Sequence, residues 1–285
     1  MTTTDTTPSG AASTEPRVIL EGRHLVKEYP VGARTGLLRR QQTMRAVDDV
    51  SLALVQGRIT ALVGQSGSGK STLGRMLARL IPTTSGQILL DGREVPTSGG
   101  TGHRQYVGDV QLTLQDPFAS LNPLRRIAYT LGRAVRLHQE VRAASAVHER
   151  CLHLLERVGL TPAERYLDRF PHELSGGERQ RVSFARALAA SPRVLIADEP
   201  VSMLDVTIRQ EMLDLIDSLR RDEDLAVLYI THDLGSARRY SDEVMVMHHG
   251  RVVERGTSRA VIDDPQHEYT RRLLAAAPNP AARLR

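Results

Sequence analysis

The octapeptide Gly64-Gln65-Ser66-Gly67-Ser68-Gly69-Lys70-Ser71, followed by Thr72, has the spacing of a loop built to hold phosphate. Its glycines let backbone N–H groups approach anionic oxygens closely, Lys70 supplies a point charge for β and γ phosphates, and the Ser71 hydroxyl suits Mg²⁺. Of the 38 lysines and arginines only Lys27 and Lys70 are lysines, so a compact ammonium stands where a phosphate loop needs one. Asp198 and Glu199 end an apolar run. The first is suited to hold Mg²⁺ and the second to polarise a water in line with the γ phosphate, as a general base. Gln115 offers an amide to Mg²⁺ or to that water. His232, past another apolar run, is suited to donate to the γ phosphate or to orient the water.

A second anion site is written at Leu174-Ser175-Gly176-Gly177-Glu178-Arg179-Gln180-Arg181. A serine and two glycines open a helix predicted over residues 179–190, so N–H groups and a hydroxyl meet at its N-terminus. Tyr29 is a candidate adenine stacker, with an ordinary half-buried strand tyrosine as the competing reading. Taken singly, an acidic strand end or a lone histidine carries little weight; their order behind a phosphate loop gives them meaning.

The elements that must position these groups alternate between strand and helix. Strands are expected at residues 18–29, 45–54, 58–63, 87–90, 106–114, 193–197 and 225–230, with a hairpin over 244–253 through His249-Gly250. Helical spacing covers 70–80, 206–220 and 267–277, and Gly99-Gly100-Thr101-Gly102 reads as a loop. Residues 121–174 are helical in pattern, with 134–158 the longest amphipathic stretch, and read as a subdomain inserted into the core. Residues 1–16 are rich in Thr, Ser, Pro and Ala and read as a disordered tail. The alternation implies an α/β fold with a mostly parallel sheet and ligand sites at the strand C-terminal ends.

Composition narrows the partners. A net charge of +5 raises nucleic acid or an anionic membrane surface, but the arginines are scattered and the 4% aromatic content is too low for a base-stacking platform. No nucleic acid partner is expected. Cys151 is the only cysteine, which excludes intrachain disulfides and thiolate metal cages. No run approaches the ~20 apolar residues of a membrane span, and the first twenty residues lack a secretory signal, so a cytosolic chain is expected unless a partner holds it at a membrane.

In the order of these motifs the chain resembles ABC-type ATPases from about residue 17 to 278. Residues 64–72 look like Walker A, Gln115 the Q-loop, 174–181 the signature, 194–199 Walker B, 202–205 the D-loop and His232 the H-loop. Met203 stands where the family usually has Ala. Gln115-Asp116-Pro117-Phe118-Ala119-Ser120-Leu121-Asn122-Pro123, the insert at 32–42 and His267-Glu268-Tyr269-Thr270 are similar to the second ATPase subunit of oligopeptide, dipeptide and nickel importers; Glu268 replaces a usual proline.

The resemblance implies a P-loop NTPase fold with a β-subdomain, a RecA-like core and a helical subdomain at about 121–185, within an ATPase domain at 17–265 and an importer-type extension at 266–285. It implies ATP and Mg²⁺, with Ser71, Gln115 and Asp198 at the metal, and Ser175, Gly176, Gly177 and Glu178 acting on ATP held by a partner chain. The expected partners are two permease subunits, a second, non-identical ABC ATPase and an extracytoplasmic solute-binding protein, at the cytoplasmic face of the membrane. Residues 120–126 and the helices after them are the expected docking surface. Peptide, nickel or metallophore, and glutathione remain open as solutes. A non-transport ABC ATPase acting on nucleic acid, the ribosome or a soluble enzyme complex is the alternative.

Overall fold

Strand patterning separates two sheets. In a computed structural model describing residues 17–31, 42–96, 99–116, 121–139 and 141–276, the half-buried strands β1 (Val18–Val31) and β2 (Gln42–Val55) pair antiparallel. With β4 (Ser85–Leu90) and β5 (Arg93–Glu94) they form a sheet of order β2-β1-β4-β5. The continuous apolar runs go elsewhere. β3 (Ile59–Val63), β7 (Val194–Asp198) and β8 (Ala226–Thr231) are buried throughout, as parallel strands covered on both faces must be. Joined by β6 (Val110–Thr113), β9 (Glu243–His248) and β10 (Arg251–Thr257), they give the order β10-β9-β3-β8-β7-β6, with only β10 antiparallel.

The period-2 alternation of these central strands divides the interior. Ile59, Ala61, Leu195, Val227 and Tyr229 face one core, whereas Leu62, Ile196, Leu228 and Ile230 face another, shared with helix α1 (Lys70–Leu77) and the first sheet. Each buried Leu or Ile contributes about 1.5–3 kcal/mol, so the register is firmly set. That register brings Val63 opposite Thr231, Asp198 opposite Ile230 and Thr113 opposite Ala197. Gly64, Gln115, Asp198, Glu199 and His232 therefore emerge at one edge.

Three expectations are corrected. The glycine-rich segment and much of the strand expected at 106–114 form helix α2 (Gly100–Asp109), leaving only the short β6. Tyr106 explains this, because the helix buries its ring and aims its hydroxyl at the Leu77 carbonyl of α1, which outweighs the poor helix propensity of glycine. The long helix expected over 134–158 is two, α3 (Ile127–His138) and α4 (Ala144–Arg157). Folding back lets Ile127, Leu131 and Val135 pack with Val147, Cys151 and Leu154 in one core, and Gln139 at the break donates to the Ala189 carbonyl at 3.0 Å. After α5 (Glu164–Leu167) and a 3₁₀ turn at Pro171–Glu173, α6 (Gly176–Leu188) begins three residues before the predicted start. Ser175 and Glu178 cap it reciprocally: Ser175 Oγ accepts from the Glu178 amide at 3.2 Å, and Glu178 Oε2 accepts from the Ser175 amide at 2.8 Å.

The chain closes with α7 (Val206–Glu223), α8 (Leu234–Tyr240), α9 (Ser258–Asp263) and α10 (Glu268–Ala276). The α8 and α9 helices had no counterpart in the sequence reading. The tail at 1–16, the insert at 32–41 and residues 117–120 lie outside the described residues.

Candidate nucleotide site

Between β3 and α1 the loop wraps because two glycines take conformations closed to other residues. Gly64, at φ 154°, has room for no side chain, since a Cβ would lie 2.2 Å from the Met247 carbonyl oxygen of β9. Gly69, at φ 107°, would meet the Ala46 carbonyl of β2 at 2.1 Å. The hairpin supports the loop directly, the Gly250 amide donating to the Ser68 carbonyl at 2.9 Å.

Every residue from 64 to 72 except Ser68 lines a cleft of about 870 Å³, together with Tyr29, Gln115, Glu199 and His232. Ser68 turns inward, its Oγ buried without a hydrogen-bond partner among the described residues. Lys70 is only 5% exposed, and its Nζ donates to the carbonyls of Gly64 at 2.8 Å and Gln65 at 2.9 Å. Burial pulls its pKa below the usual lysine value against the raising pull of Glu199 and Asp198. Asp198 stands behind the cleft wall, 2% exposed, accepting from Ser71 Oγ at 2.9 Å. Burial pushes its carboxyl up, opposed by the Ser71 hydrogen bond.

Glu199 sits at φ 44°, a strained conformation for a side-chain-bearing residue, fixed by its amide donating to the Ile230 carbonyl at 2.9 Å. That bend carries its carboxylate out of the strand and into the cleft. There Gln115 Nε2 donates to Glu199 Oε2 at 3.0 Å, and His232 Nδ1 lies 3.5 Å from the same oxygen. The hydroxyl of Ser71, the carboxylate of Asp198 and the amide of Gln115 form a hard oxygen donor set of the kind Mg²⁺ takes. A buried carboxylate whose pKa is raised is the group a divalent cation would relieve, so these residues fit the ion.

Tyr29 lines the cleft, with Lys27 Nζ 5.2 Å from its ring centroid. The sequence reading missed Met44, Arg45, Ala46, His249, Gly250 and Leu273, which complete the wall. Only the chemistry of the His249-Gly250 turn was visible, not its place beneath the loop. None of Ser175, Gly176, Gly177 or Glu178 lines this cleft. Instead Gly177 packs on α7, where a Cβ would fall 2.6 Å from Ile208 Cγ2, and Tyr166 donates to Glu178 Oε1 at 3.2 Å.

A phosphate loop between strand and helix, an acidic end on the parallel strand one beyond its neighbour and a converging glutamine and histidine define a P-loop nucleotide-binding protein. Residues 47–202 match the sequence model of the ABC transporter family, and the chain belongs to that family. Over 261 residues, 91% of the chain, it is 43% identical to the glutathione import ATP-binding protein GsiA of Salmonella choleraesuis (strain SC-B67). It is 45% identical over the same extent to GsiA of Escherichia coli (strain K12). It spans 41% of the length of each of these relatives. Among solved structures, cbiO1 of Clostridium perfringens, part of the ABC transporter complex cbiONQ, superposes with a TM-score of 0.74 at 26% identity, covering 95% of this chain and 99% of that one. The ATP-binding cassette MJ0796, a dimer bound to ADP and Pi, gives 0.73 at 24% identity over 85% and 99%, which is likeness of fold.

Proposed function

We propose that the chain is the ATP-hydrolysing subunit of an ABC importer for peptides or a related small solute, glutathione among them. The observation that carries this reading is the convergence in one cleft of the phosphate loop, Glu199, Gln115 and His232, with Asp198 behind Ser71. The loop amides and Lys70 bind the phosphates of ATP. Ser71, Asp198 and Gln115 would hold Mg²⁺, which when bound supplies charge neutralisation on the β and γ phosphates. Glu199 takes the proton of the attacking water, and the hydrogen bond it accepts from Gln115, with the His232 ring 3.5 Å away, orients the carboxylate before the substrate arrives. Tyr29 and Leu273 offer an aromatic and an apolar surface at the cleft rim for the base.

The capped start of α6, outside the chain's own cleft with Ser175 exposed and Gly176, Gly177 and Glu178 half-buried, supports these four residues serving ATP bound by a second ABC ATPase, read as non-identical. We read 121–185 as a helical subdomain that meets the permease. A groove of about 540 Å³ there is lined by Asn122, Arg125, Tyr129, Arg133, Leu137 and Arg186. Leu124, Tyr129 and Leu137 are exposed around it, as a docking surface requires. Among the described residues no helix is long and apolar enough to cross a membrane, so translocation in this reading needs permease subunits, fed by a solute-binding protein, with this chain on their cytoplasmic face. The test is Glu199→Gln in the assembled transporter. Steady-state hydrolysis falls by at least about 100-fold while ATP binding persists; unchanged hydrolysis removes Glu199 from the general-base role.

A further inference from the structure

The C-terminal helix α10 follows the last strand of the nucleotide-binding sheet, yet it reaches the phosphate loop. Gln266 and His267 anchor its start, their amides donating to the Glu254 carboxylate of β10 at 2.7 and 3.2 Å. Tyr269 then turns inward, 9% exposed, with its ring stacked on His248 at 3.7 Å between centroids and 19° between planes. Its hydroxyl accepts a hydrogen bond from the Gln65 amide at 3.2 Å. One turn on, Leu273 lines the nucleotide cleft itself.

The peptide unit involved is a particular one. The N–H of the Gly64–Gln65 peptide donates to Tyr269 and its C=O accepts from Lys70 Nζ at 2.8 Å, so one amide plane is gripped between the C-terminal helix and the phosphate-binding lysine. Hydrogen bonds at opposite ends of one amide polarise each other. Losing the Tyr269 hydroxyl frees the entry of the loop and the carbonyl that aligns Lys70.

We propose that Tyr269 is a positioning residue of the nucleotide site, and that α10 is coupled to ATP through the Gly64–Gln65 peptide. The inference rests on the ATP-binding reading above. Because coupling is reciprocal, ATP must in turn stabilise α10 on the loop.

Tyr269→Phe in the full chain keeps the ring on His248 and removes only the hydroxyl. Equilibrium binding of a fluorescent ATP analogue weakens by up to about fivefold, the full worth of one intramolecular hydrogen bond being the upper bound because the bond already stands in the ligand-free chain. In the assembled transporter KM for ATP rises by a similar factor with kcat within twofold, and the melting temperature of the chain moves little. Glu268→Gln, which breaks the exposed pair with Arg272 on the same helix, leaves affinity unchanged. Wild-type affinity in Tyr269→Phe overturns the proposal, as does equal weakening by Glu268→Gln, which would report general loosening of the helix. Failure of the folded wild-type chain to bind the analogue overturns the nucleotide reading itself. Should Tyr269→Phe not fold, hydrogen exchange on the wild type decides: ATP slows exchange in residues 268–276, and no slowing refutes the coupling.

Discussion

Gly177→Ala is the most searching single substitution in the signature segment, because two effects of opposite sign meet there. Gly to Ala in a helix gains at most about 1 kcal/mol of propensity. The new Cβ, however, would lie 2.6 Å from Ile208 Cγ2, about 1 Å inside an ordinary carbon–carbon contact. Ile208 is β-branched, so χ1 is held by its helix and the methyl has no easy way to swing aside. Its backbone amide is in turn tied to Asp205 Oδ1 at 3.0 Å. Overpacking of this kind costs about 1–3 kcal/mol, leaving a net loss of about 1–2 kcal/mol. In an Ile208→Ala background the obstructing methyl is gone, and the same Gly177→Ala step becomes neutral or slightly stabilising. The cycle therefore carries a coupling near 2 kcal/mol, well above the ~0.5 kcal/mol scatter of independent sites. The chain has no tryptophan, so far-UV circular dichroism is the practical probe of thermal unfolding. Gly177→Ala alone lowers Tm by about 2–6 °C. An equal drop in both backgrounds refutes the steric account. The result also bears on Gly177→Asp, which carries the same Cβ: its effect on hydrolysis mixes packing on α7 with any loss of phosphate contact, and the cycle separates them.

Burial at Asp198 and capping at Asp205 set two further outcomes. Asp198→Asn stabilises the ligand-free chain at pH 7, because burial raises the folded-state pKa of Asp198 and its charge opposes folding. The folded state then binds the proton more tightly than the unfolded state, so the wild type recovers as pH falls through that raised value, and the Tm gap between the proteins closes toward the ordinary 3.8; a gap independent of pH contradicts the assignment. Asp205→Ala removes the side-chain cap of α7 and costs about 1 kcal/mol in thermal or urea unfolding, whereas Asp205→Asn, which still accepts from the Ile208 amide, costs little.

The phosphate loop, the acidic strand end, the serine-and-glycine signature and the apolar strands were legible in the chain because each is a local pattern. A glycine-rich loop ending in lysine or a run long enough for one buried strand declares itself within ten residues; the reciprocal cap of Ser175 and Glu178 is as local, yet the expected start at 179 overlooked it. What the sequence alone did not determine was which distant residues meet. Tyr106 became helical through burial against α1, and Arg45, Ala46, His249 and Leu273 joined the cleft only through sheet order and the return of the C-terminal helix. The bond between Tyr269 and the Gln65 amide spans most of the chain and has no local signature. By itself the sequence determined the chemistry available to this protein and most of its secondary structure. The tertiary structure decided which groups share a cleft, because burial and register act between residues that no spacing rule connects.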